Sequence, residues 1–340
     1  MLAASVASGA EPGATGDTPR ASGTVYEGEY PGWPWIDRDA AGALYCVFRE
    51  GTQHMYAATG RVLICRSTDG GKTWSEPGVV ADAPEIDDRN AAITVLPDGG
   101  LLVAYNTYTA ADESQAMTTR SPDGGATWSP PQPLDKPNTR TRASVKMLRD
   151  GSYLLPYYVA PGNGALAGLS EDGGATWRTV RVPDADGFVG DEWDALEYAP
   201  GRLVGVFRNS HPQTDGAFWV SLSDDSGRTW SPPRRTNVRS DRHPSPAQVA
   251  VHQGTPTLIY CDRRMVSVSA VRTTDPAFLE WDLARRAPCF HHNADGSPIL
   301  DGGYPASVAL NARERLIVDY EIRESKRQIA WYVVALPDNW

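Results

Sequence analysis

The stretch Ser67-Thr68-Asp69-Gly70-Gly71-Lys72-Thr73-Trp74 decides the fold, because close copies of it recur at even spacing along the chain. Full copies begin at Ser121, Ser170 and Ser223, and a degenerate one begins at Thr273. In such an octapeptide the aspartate accepts hydrogen bonds from turn N–H groups, glycine supplies a positive φ, and tryptophan packs on neighbouring strands. The repeat therefore predicts a tight turn between two strands, and its aspartates are structural.

A second repeat alternates with the first. Pairs of short apolar runs flank six turn sequences: Ala41-Gly42, 97–100, 149–151, 199–201, Gln253-Gly254 and 311–313. Helical periodicity is absent, so each unit has the pattern of four strands. Radial repetition of four-stranded units predicts an all-β fold, a six-bladed β-propeller with antiparallel blades. The strand 24–30 is expected to complete the last blade, which makes 23–340 one domain.

Composition narrows the function and the location. The 340 residues carry a formal net charge of −10, which argues against nucleic acid as a partner, and no apolar run is long enough for a membrane span. Residues 1–22 are small, polar and rich in Pro and Gly, so we expect disorder or processing there. Their start resembles the end of a signal peptide, which favours a secreted or periplasmic location over a cytoplasmic one.

Four cysteines are too few for a disulfide scaffold, and no motif suggests a metal site. Cys46 and Cys65 fall on adjacent predicted strands, where either a disulfide or two buried thiols would fit. The adjacent His291 and His292 are interpreted as polar loop surface. We expect neither a cofactor nor a metal, and the sequence leaves the oligomeric state open.

Propeller topology brings the starts of the inner strands and the ends of the second strands together at the centre of one face. These positions are rich in arginine, carboxylate and tyrosine: Trp33, Trp35, Asp88-Arg89-Asn90, Arg140, Arg142, Asp191-Glu192, Arg242-His243, Tyr304, Arg49-Glu50, Asn106, Tyr157-Tyr158, Arg208-Asn209, Asp262-Arg263-Arg264 and Tyr320-Glu321. In an acidic protein, a pocket rich in arginine predicts an anionic or heavily hydroxylated ligand. The alternative is that these charges only tie the blades together.

With its Ser-x-Asp-x-Gly-x-Thr-Trp repeats on six blades, the chain resembles the sialidase (neuraminidase) superfamily, whose repeat is called the Asp-box or BNR repeat. The resemblance covers about residues 23–340. It implies an exo-acting glycoside hydrolase that takes a terminal acidic sugar from a glycan. Members use a tyrosine nucleophile paired with a glutamate, an aspartate as acid/base, and three arginines that bind the substrate carboxylate.

The resemblance carries over to particular residues. The segment beginning at Asp191 is similar to the one with the family's glutamate, and the match falls on Glu192. Arg208 and Arg264 match two of the arginines, with Arg263 as a competing choice for the second. The strand opening at Gly303 is similar to the one with the nucleophile, which matches Tyr304.

Blade 1 departs from the family pattern. The family opens this blade with an arginine, whereas Trp33 and Trp35 stand here and offer stacking surfaces for a sugar; Arg142 or Arg89 could replace the missing cation. The expected acid/base aspartate is also absent. His54 lies nearest its place, with Glu50 as the second candidate, and Asp88 falls near a further substrate-binding aspartate.

These residues predict a chemistry. A tyrosine hydroxyl has a pKa near 10 and needs a neighbouring base to act as a nucleophile, and a neutral nucleophile suits an anionic substrate. The leading hypothesis is therefore hydrolysis of an acidic sugar. The alternatives are a lyase that cleaves a uronate-containing glycan by β-elimination, and a propeller that binds glycans without catalysis.

Overall fold

The computed structural model describes residues 19–160, 162, 164–241, 244–292, 301–323 and 326–337. Most of the N-terminal segment 1–22 lies outside these ranges. The strands form six antiparallel sheets that follow one another along the chain, each with four principal strands. This arrangement confirms the six-bladed propeller, in which the hairpins and the octapeptide turns alternate as the repeats predicted.

The first five blades take their strands in chain order from the centre of the ring outward, and blade 6 takes its outermost strand from the N-terminus. Blade 1 holds β2 (Gly32–Arg38), β3 (Leu44–Glu50), β4 (Arg61–Ser67) and β5 (Gly78–Ala81); blade 2 holds β6 (Arg89–Val95), β7 (Leu101–Tyr108), β8 (Ser114–Ser121) and β9 (Gln132–Pro137). Blade 3 holds β10 (Thr139–Thr141), β11 (Lys146–Met147), β12 (Tyr153–Val159), β13 (Ala165–Ser170) and β14 (Arg178–Arg181); blade 4 holds β15 (Gly190–Ala199), β16 (Arg202–Asn209), β17 (Ala217–Ser223) and β18 (Arg234–Arg239). Blade 5 holds β19 (Gln248–His252), β20 (Thr255–Asp262), β21 (Ser267–Arg272) and β22 (Ala287–His291), with a 3₁₀ helix at Leu283–Arg285; blade 6 holds β23 (Ala306–Ala309), β24 (Glu314–Arg323), β25 (Lys326–Ala335) and β1 (Ala21–Gly28).

The N-terminal strand closes the ring. β1 pairs antiparallel with β25, from Ala21 opposite Val333 to Gly28 opposite Arg327. The strand was expected from residue 24 and begins three residues earlier. Both ends of the described chain thus belong to blade 6, and the last sheet is completed without a further element.

The inner strand of blade 3 is interrupted, and the interruption shapes the centre of the ring. Thr141 pairs with Tyr157 and Lys146 with Leu154, so residues 142–145 bulge out opposite only two residues of β12. One of those two is Pro156, which has no N–H to donate to a ladder. The bulge carries Arg142 to the propeller axis.

The core lies between the blades. Every residue of β3 is buried, as expected for a strand covered on both faces. Its apolar side chains join one cluster with Ile93 and Val103 of blade 2 and with Leu316 and Val318 of blade 6. Four further clusters fill the other interfaces around the ring, so the blades are held together chiefly by apolar packing.

The octapeptides form closed hydrogen-bonded turns. In the first, Asp69 accepts hydrogen bonds from the Ser67 hydroxyl (2.9 Å) and from the N–H and hydroxyl of Thr73 (3.0 and 2.7 Å). The Trp74 indole N–H donates to the Gly71 carbonyl at 3.0 Å. These bonds lower the pKa of Asp69 to about 2, with those from Thr73 contributing most.

The second glycine of the repeat also joins neighbouring blades. Gly71 has φ +92°, and a Cβ there would lie 2.5 Å from Cδ1 of Leu316 in blade 6. Gly227 of blade 4 meets Leu154 of blade 3 at the same distance. Glycine is favoured at both positions because their φ values of +92° and +82° strain any other residue, and a Cβ would also displace a leucine of the next blade.

Candidate active site

A cavity of about 210 Å³ opens at the centre of the face opposite the octapeptide turns. Eleven residues from five blades line it: Trp33, His54, Met55, Arg89, Asn90, Tyr108, Arg140, Tyr158, Glu192, Arg208 and Tyr304. Six of the twelve residues predicted for the site are absent from this lining, and six are present. A wider cavity of about 820 Å³ adjoins it and shares Arg208, with Arg263 and residues 209–215 among its walls.

Tyr304 stands at the entrance to blade 6, two residues before β23. Its backbone N–H donates to the Asp319 carboxylate at 2.8 Å, and its hydroxyl accepts a hydrogen bond from Arg208 at 3.0 Å. Burial, reinforced by the charge of Glu192, raises the pKa of Tyr304 to about 12. The side chain is therefore a neutral phenol at neutral pH, and it depends on a nearby base to become a nucleophile.

Glu192 is the carboxylate beside this hydroxyl. It lies 2.5 Å from Arg208 Nη1, the same nitrogen that donates to Tyr304. Burial raises the pKa of Glu192, and the positive charge of Arg208 opposes the rise. A raised pKa makes a carboxylate a better proton acceptor, which is the property that a base beside a phenol needs.

Arg208 is held on two sides. It makes a bidentate ion pair with Asp191, with Nε donating to Oδ1 at 2.8 Å and Nη2 at 2.5 Å from Oδ2, while Nη1 faces Glu192 and Tyr304. Asp191 was seen at the rim in the sequence but was not predicted as a site residue. Only the structure shows its role, which is to fix the guanidinium that contacts Glu192 and Tyr304.

Arg142 lies at the axis beneath the cavity. Its guanidinium sits between the Trp35 ring (5.1 Å) and the Tyr304 ring (5.2 Å), and it donates to the Tyr304 carbonyl at 3.0 Å. Trp35 itself faces a different cavity on the opposite side of the ring. Both residues thus support Tyr304 from below, whereas the sequence had suggested contact with the sugar.

His54, Trp33 and Arg89 form one wall. The Cζ of Arg89 lies 4.2 Å from the centre of the Trp33 ring, and Arg89 also donates to the His54 carbonyl at 3.1 Å. Trp33 is only 2% exposed, so Arg89 rather than the indole face is presented to a ligand. The His54 side chain is 50% exposed, and its partial burial together with the surrounding arginines, Arg89 first among them, lowers its pKa to about 4.

Glu50 and Asp88 lie apart from the cavity. Glu50 accepts a hydrogen bond from the Glu29 N–H and faces Gly28 and Tyr26, and burial raises its pKa. Asp88 accepts from the Ala83 N–H, and burial raises its pKa to about 6. Their neighbours Arg49 and Asp87 do contact the wall of the cavity, since Arg49 Cζ lies 5.5 Å from the centre of the Trp33 ring and Asp87 pairs with Arg89 at 3.5 Å.

Arg49 and Asp87 make a fully buried bidentate ion pair, with both N–O distances at 2.8 Å. Arg49 also donates to the Gln53 carbonyl at 2.7 Å, and Asp87 accepts from the Ala57 N–H at 3.1 Å. The pair thereby anchors the loop 51–60, which carries His54.

The two neighbouring arginines of blade 5 also differ in whether they face a cavity. Arg264 is paired with Asp262, its side chain is 52% exposed, and it does not line the central cavity. Arg263 donates to the Gly302 carbonyl at 2.8 Å, lines the adjoining cavity, and is close enough to Tyr304 to lower its pKa. Of the two, Arg263 is placed to meet a ligand.

Several lining residues were not predicted. Arg140, Tyr158 and Asn90 occupy rim positions that the strand pattern had indicated, but Tyr108 and Met55 gave no signal. Asn90 has φ +55°, and its side-chain oxygen is buried without a hydrogen-bond partner in the described structure. A left-handed residue with an unsatisfied acceptor at the cavity wall is suited to receive a hydrogen bond from a ligand.

The interpretation of the histidine pair as loop surface is wrong for His292. His291 is exposed, but His292 is buried, with Nε2 3.0 Å from Asp319 Oδ2. Burial acts to lower the pKa of His292, yet the negative charge of Asp319 raises it well above its usual value. The error arose because successive strand residues face opposite sides, and one of the two must turn inward.

All four cysteines are free thiols and buried, and Cys46 pairs directly opposite Cys65 in the ladder between β3 and β4. Of the two alternatives for this pair, the structure has the buried thiols. In the ranges that the structure describes, no group of three or more His, Cys, Asp or Glu side chains could hold a metal ion. No helix within those ranges has the length and apolarity needed to cross a membrane.

The match to known families accords with this architecture. A family model described as a BNR repeat-like domain covers residues 42–286. The chain belongs to this BNR-repeat, sialidase-type propeller superfamily. A sialidase of Micromonospora viridifaciens is 30% identical over an alignment of 198 residues, and the match covers 46% of this chain and 30% of that enzyme. The aligned part thus spans less than a third of the relative.

Solved structures share the fold of this superfamily member. A protein of unknown function from Dyadobacter fermentans superposes with a TM-score of 0.79 at 18% identity, covering 94% of this chain and 99% of that one. The intramolecular trans-sialidase of Ruminococcus gnavus gives a TM-score of 0.71 at 11% identity, with 92% and 96% covered. At these identities the likeness is one of fold.

Proposed function

We propose that this protein is a sialidase-like, exo-acting glycoside hydrolase that releases a terminal acidic sugar from a glycan. The observation that carries the proposal is the position of Arg208 Nη1, which donates to the Tyr304 hydroxyl and lies 2.5 Å from the Glu192 carboxylate at the wall of a central cavity. The family membership and the partial similarity to a sialidase support the same reaction. Arg89, Arg140 and Arg208 supply positive charge in the cavity for the sugar's carboxylate.

The reaction would proceed in two steps. Glu192 takes the phenolic proton while the Tyr304 oxygen attacks the anomeric carbon, and the bond to the aglycone oxygen breaks as that oxygen receives a proton. Water then attacks the anomeric carbon and gives one proton to the acid/base as the sugar–tyrosine bond breaks, and the phenolate recovers its proton from Glu192. A nucleophile that is neutral before attack avoids the repulsion that a carboxylate would meet from an anionic substrate.

His54 is the acid/base in this scheme, because it lines the cavity and Glu50 does not. As the acid of the first step it must be protonated, and its pKa is about 4. Glu192 must be ionised in the same step, and burial raises its pKa, so hydrolysis is expected to follow a bell-shaped pH profile with its maximum at acidic pH and little rate at neutral pH.

The test is release of 4-methylumbelliferone from its α-N-acetylneuraminic acid glycoside across pH 3 to 8. Tyr304→Phe should abolish turnover while leaving sugar binding intact. Tyr56→Phe is the matched control, since its hydroxyl donates to the Glu85 carbonyl outside the cavity. Equal turnover by the wild type and Tyr304→Phe would exclude the tyrosine mechanism. Binding without turnover of any acidic glycoside would instead indicate a glycan-binding propeller.

The protonation states of His54 and Tyr304 at neutral pH favour a second candidate reaction, β-elimination on a uronate. A neutral His54 could remove the proton on C5, Tyr304 could protonate the departing oxygen on C4, and a C4–C5 double bond would form as the C4–O bond breaks. This chemistry needs a neutral imidazole and a protonated phenol, which are the forms expected at pH 7. Ultraviolet absorbance from an unsaturated uronate, rising with pH above about 4, would distinguish it from hydrolysis.

A further inference from the structure

A second polar cluster lies behind His54, centred on Asp301. This carboxylate accepts a hydrogen bond from the Tyr320 hydroxyl at 2.8 Å, pairs with Arg327 at 3.1 Å, and receives the hydroxyl of Tyr30. Arg327 also lies over the Tyr30 ring, 4.1 Å from its centre. The cluster joins the segment before Tyr304 to blades 1 and 6.

The cluster reaches the cavity through one ring nitrogen. Nδ1 of His54 is 2.9 Å from the Tyr30 hydroxyl oxygen and 3.3 Å from Asp301 Oδ1. Both of these atoms are oxygens, and the carboxylate has no proton to give while it is paired with Arg327. The arrangement of protons in the cluster therefore decides which tautomer His54 adopts.

Only one arrangement satisfies every contact. The Tyr30 hydroxyl has a single hydrogen. If Tyr30 donated it to Nδ1, both the Tyr30 oxygen and Nδ1 would face the Asp301 carboxylate with no hydrogen between them. Donating it to Asp301 leaves a lone pair on the Tyr30 oxygen, which can accept a hydrogen from Nδ1. The proton of a neutral His54 must then reside on Nδ1.

We infer that Tyr30 and Asp301 are positioning residues that lock His54 in the tautomer with hydrogen on Nδ1, so that Nε2 meets the ligand as a proton acceptor. His54 touches the cavity directly, whereas Tyr30 and Asp301 act through it. The inference rests on the proposed function only in taking His54 as the acid/base. It adds the direction of proton transfer at neutral pH, which is from the ligand to Nε2.

The other groups around His54 agree with this arrangement. Arg89, Arg49, Arg327 and Arg263 all disfavour a positive charge on the ring. The Trp33 ring meets the imidazole edge to face, with centres 5.2 Å apart, and limits its rotation. The ring is thus held neutral and in one orientation, and Tyr30 and Asp301 select its tautomer.

The test reads the tautomer directly by long-range ¹H–¹⁵N correlation spectra of the uniformly ¹⁵N-labelled full chain at pH 7. His54→Gln identifies the His54 signals among those of the six histidines. The expected spectrum has a pyrrole-type shift for Nδ1 and a pyridine-type shift for Nε2. The opposite assignment, or signals averaged between the two types, would overturn the inference.

Variants separate selection of the tautomer from folding. Tyr30→Phe and Asp301→Asn should each move the His54 signals toward the opposite tautomer, while the signals of the other five histidines stay in place. Tyr56→Phe, on the same loop as His54, should leave the His54 signals unchanged. Unchanged His54 signals in Tyr30→Phe and Asp301→Asn would refute the role given to these two residues.

Activity measurements separate the inference about the tautomer from the proposed role of His54 as acid/base. On a substrate that the enzyme turns over, Tyr30→Phe should lower kcat by about tenfold or more, which is a part of the ~100- to 10,000-fold that acid–base catalysis contributes, with little change in KM. A tautomer shift without loss of kcat would remove His54 from the proposed mechanism but leave the inference standing. If no substrate is turned over, the spectra alone decide the inference.

Discussion

The buried ion pair of Arg49 and Asp87 should be among the most sensitive points of the fold. Replacing Asp87 by Asn removes the carboxylate that accepts two hydrogen bonds from Arg49 and one from the Ala57 N–H. Arg49 is fully buried, so its charge would remain in a site from which water is excluded. Arg89, 3.5 Å from the same carboxylate, would lose its ion pair as well.

The size of the effect follows from the burial of both partners. Removing one partner of a buried pair destabilises a protein by about 3–5 kcal/mol, because the other charge is left uncompensated. With an unfolding entropy of about 2.1 cal/mol/K per residue, a 340-residue chain has about 0.7 kcal/mol/K. Asp87→Asn should therefore lower Tm by about 4–7 °C.

The assay is thermal unfolding followed by calorimetry and circular dichroism, with a matched surface pair as the control. Arg202 and Asp224 lie 2.9 Å apart, but their side chains are 52% and 76% exposed. Asp224→Asn should change stability by less than about 1 kcal/mol. The double variant Arg49→Met/Asp87→Leu should be more stable than Asp87→Asn, since it leaves no buried charge.

Two results would refute this reasoning. One is a Tm for Asp87→Asn that matches that of Asp224→Asn. The other is a double variant no more stable than the single one, which would show that packing rather than the unpaired charge is responsible. Because Arg49 also holds the Gln53 carbonyl, Asp87→Asn is further expected to disturb the loop that presents His54.

Three further predictions concern other parts of the molecule. Burial lowers the pKa of His292, but Asp319 raises it to well above the usual 6.5 in the folded protein. The stability that protonated His292 contributes is therefore complete below about pH 6.5. It is lost as the pH rises through the pKa of the folded state. Tm should thus fall more steeply between pH 6.5 and 9 in the wild type than in His292→Gln, and parallel curves would contradict this. Thiol titration of the denatured, unreduced protein should count four free cysteines, whereas a count of two would show a disulfide. Asn90→Gly keeps the left-handed backbone but removes the acceptor, so calorimetric titration should show weaker sugar binding at unchanged Tm; unaltered affinity would exclude Asn90 as a ligand contact.

The fold could be predicted from the sequence because its determinants are local and repeated. Asp69, Thr73 and Trp74 close a turn almost entirely among themselves, so their spacing alone indicates a strand pair. The six hairpins gave the number of blades, and the unpaired last unit required an extra strand from the N-terminus. The partner of Gly71 in the preceding blade was not predictable, because Leu316 is distant in sequence.

The site could be predicted only to within a residue or two. Positions at strand ends were located correctly, but neighbouring side chains on a strand face opposite ways. Arg49 and Asp87 take part in the loop anchor while the predicted Glu50 and Asp88 turn away, and Arg263 rather than Arg264 faces the ligand side. Bulges and irregular loops change which residues of a strand face the site. No pattern in the sequence indicates where such a change occurs.

Asp301 illustrates a different limit. It precedes Tyr304 by three residues, yet its partners Tyr30, His54 and Arg327 come from distant parts of the chain. Nothing local distinguishes it from any acidic loop residue. Sites of this kind are assembled by closure of the ring, and the sequence encodes them only through the whole fold.

The way β1 joins β25 also determines how the ring would respond to mechanical load. Ala21 lies opposite Val333, and the strands run antiparallel, so tethers attached before Ala21 and after Ala335 would pull from the same end of the pair. Force would then break the interstrand bonds one after another, as in a zipper, instead of shearing them all at once. A chain permuted so that its ends fall in another blade would make this seam continuous and move the weak point elsewhere. Single-molecule pulling on the two forms should place the first rupture in blade 6 only for the natural order of strands.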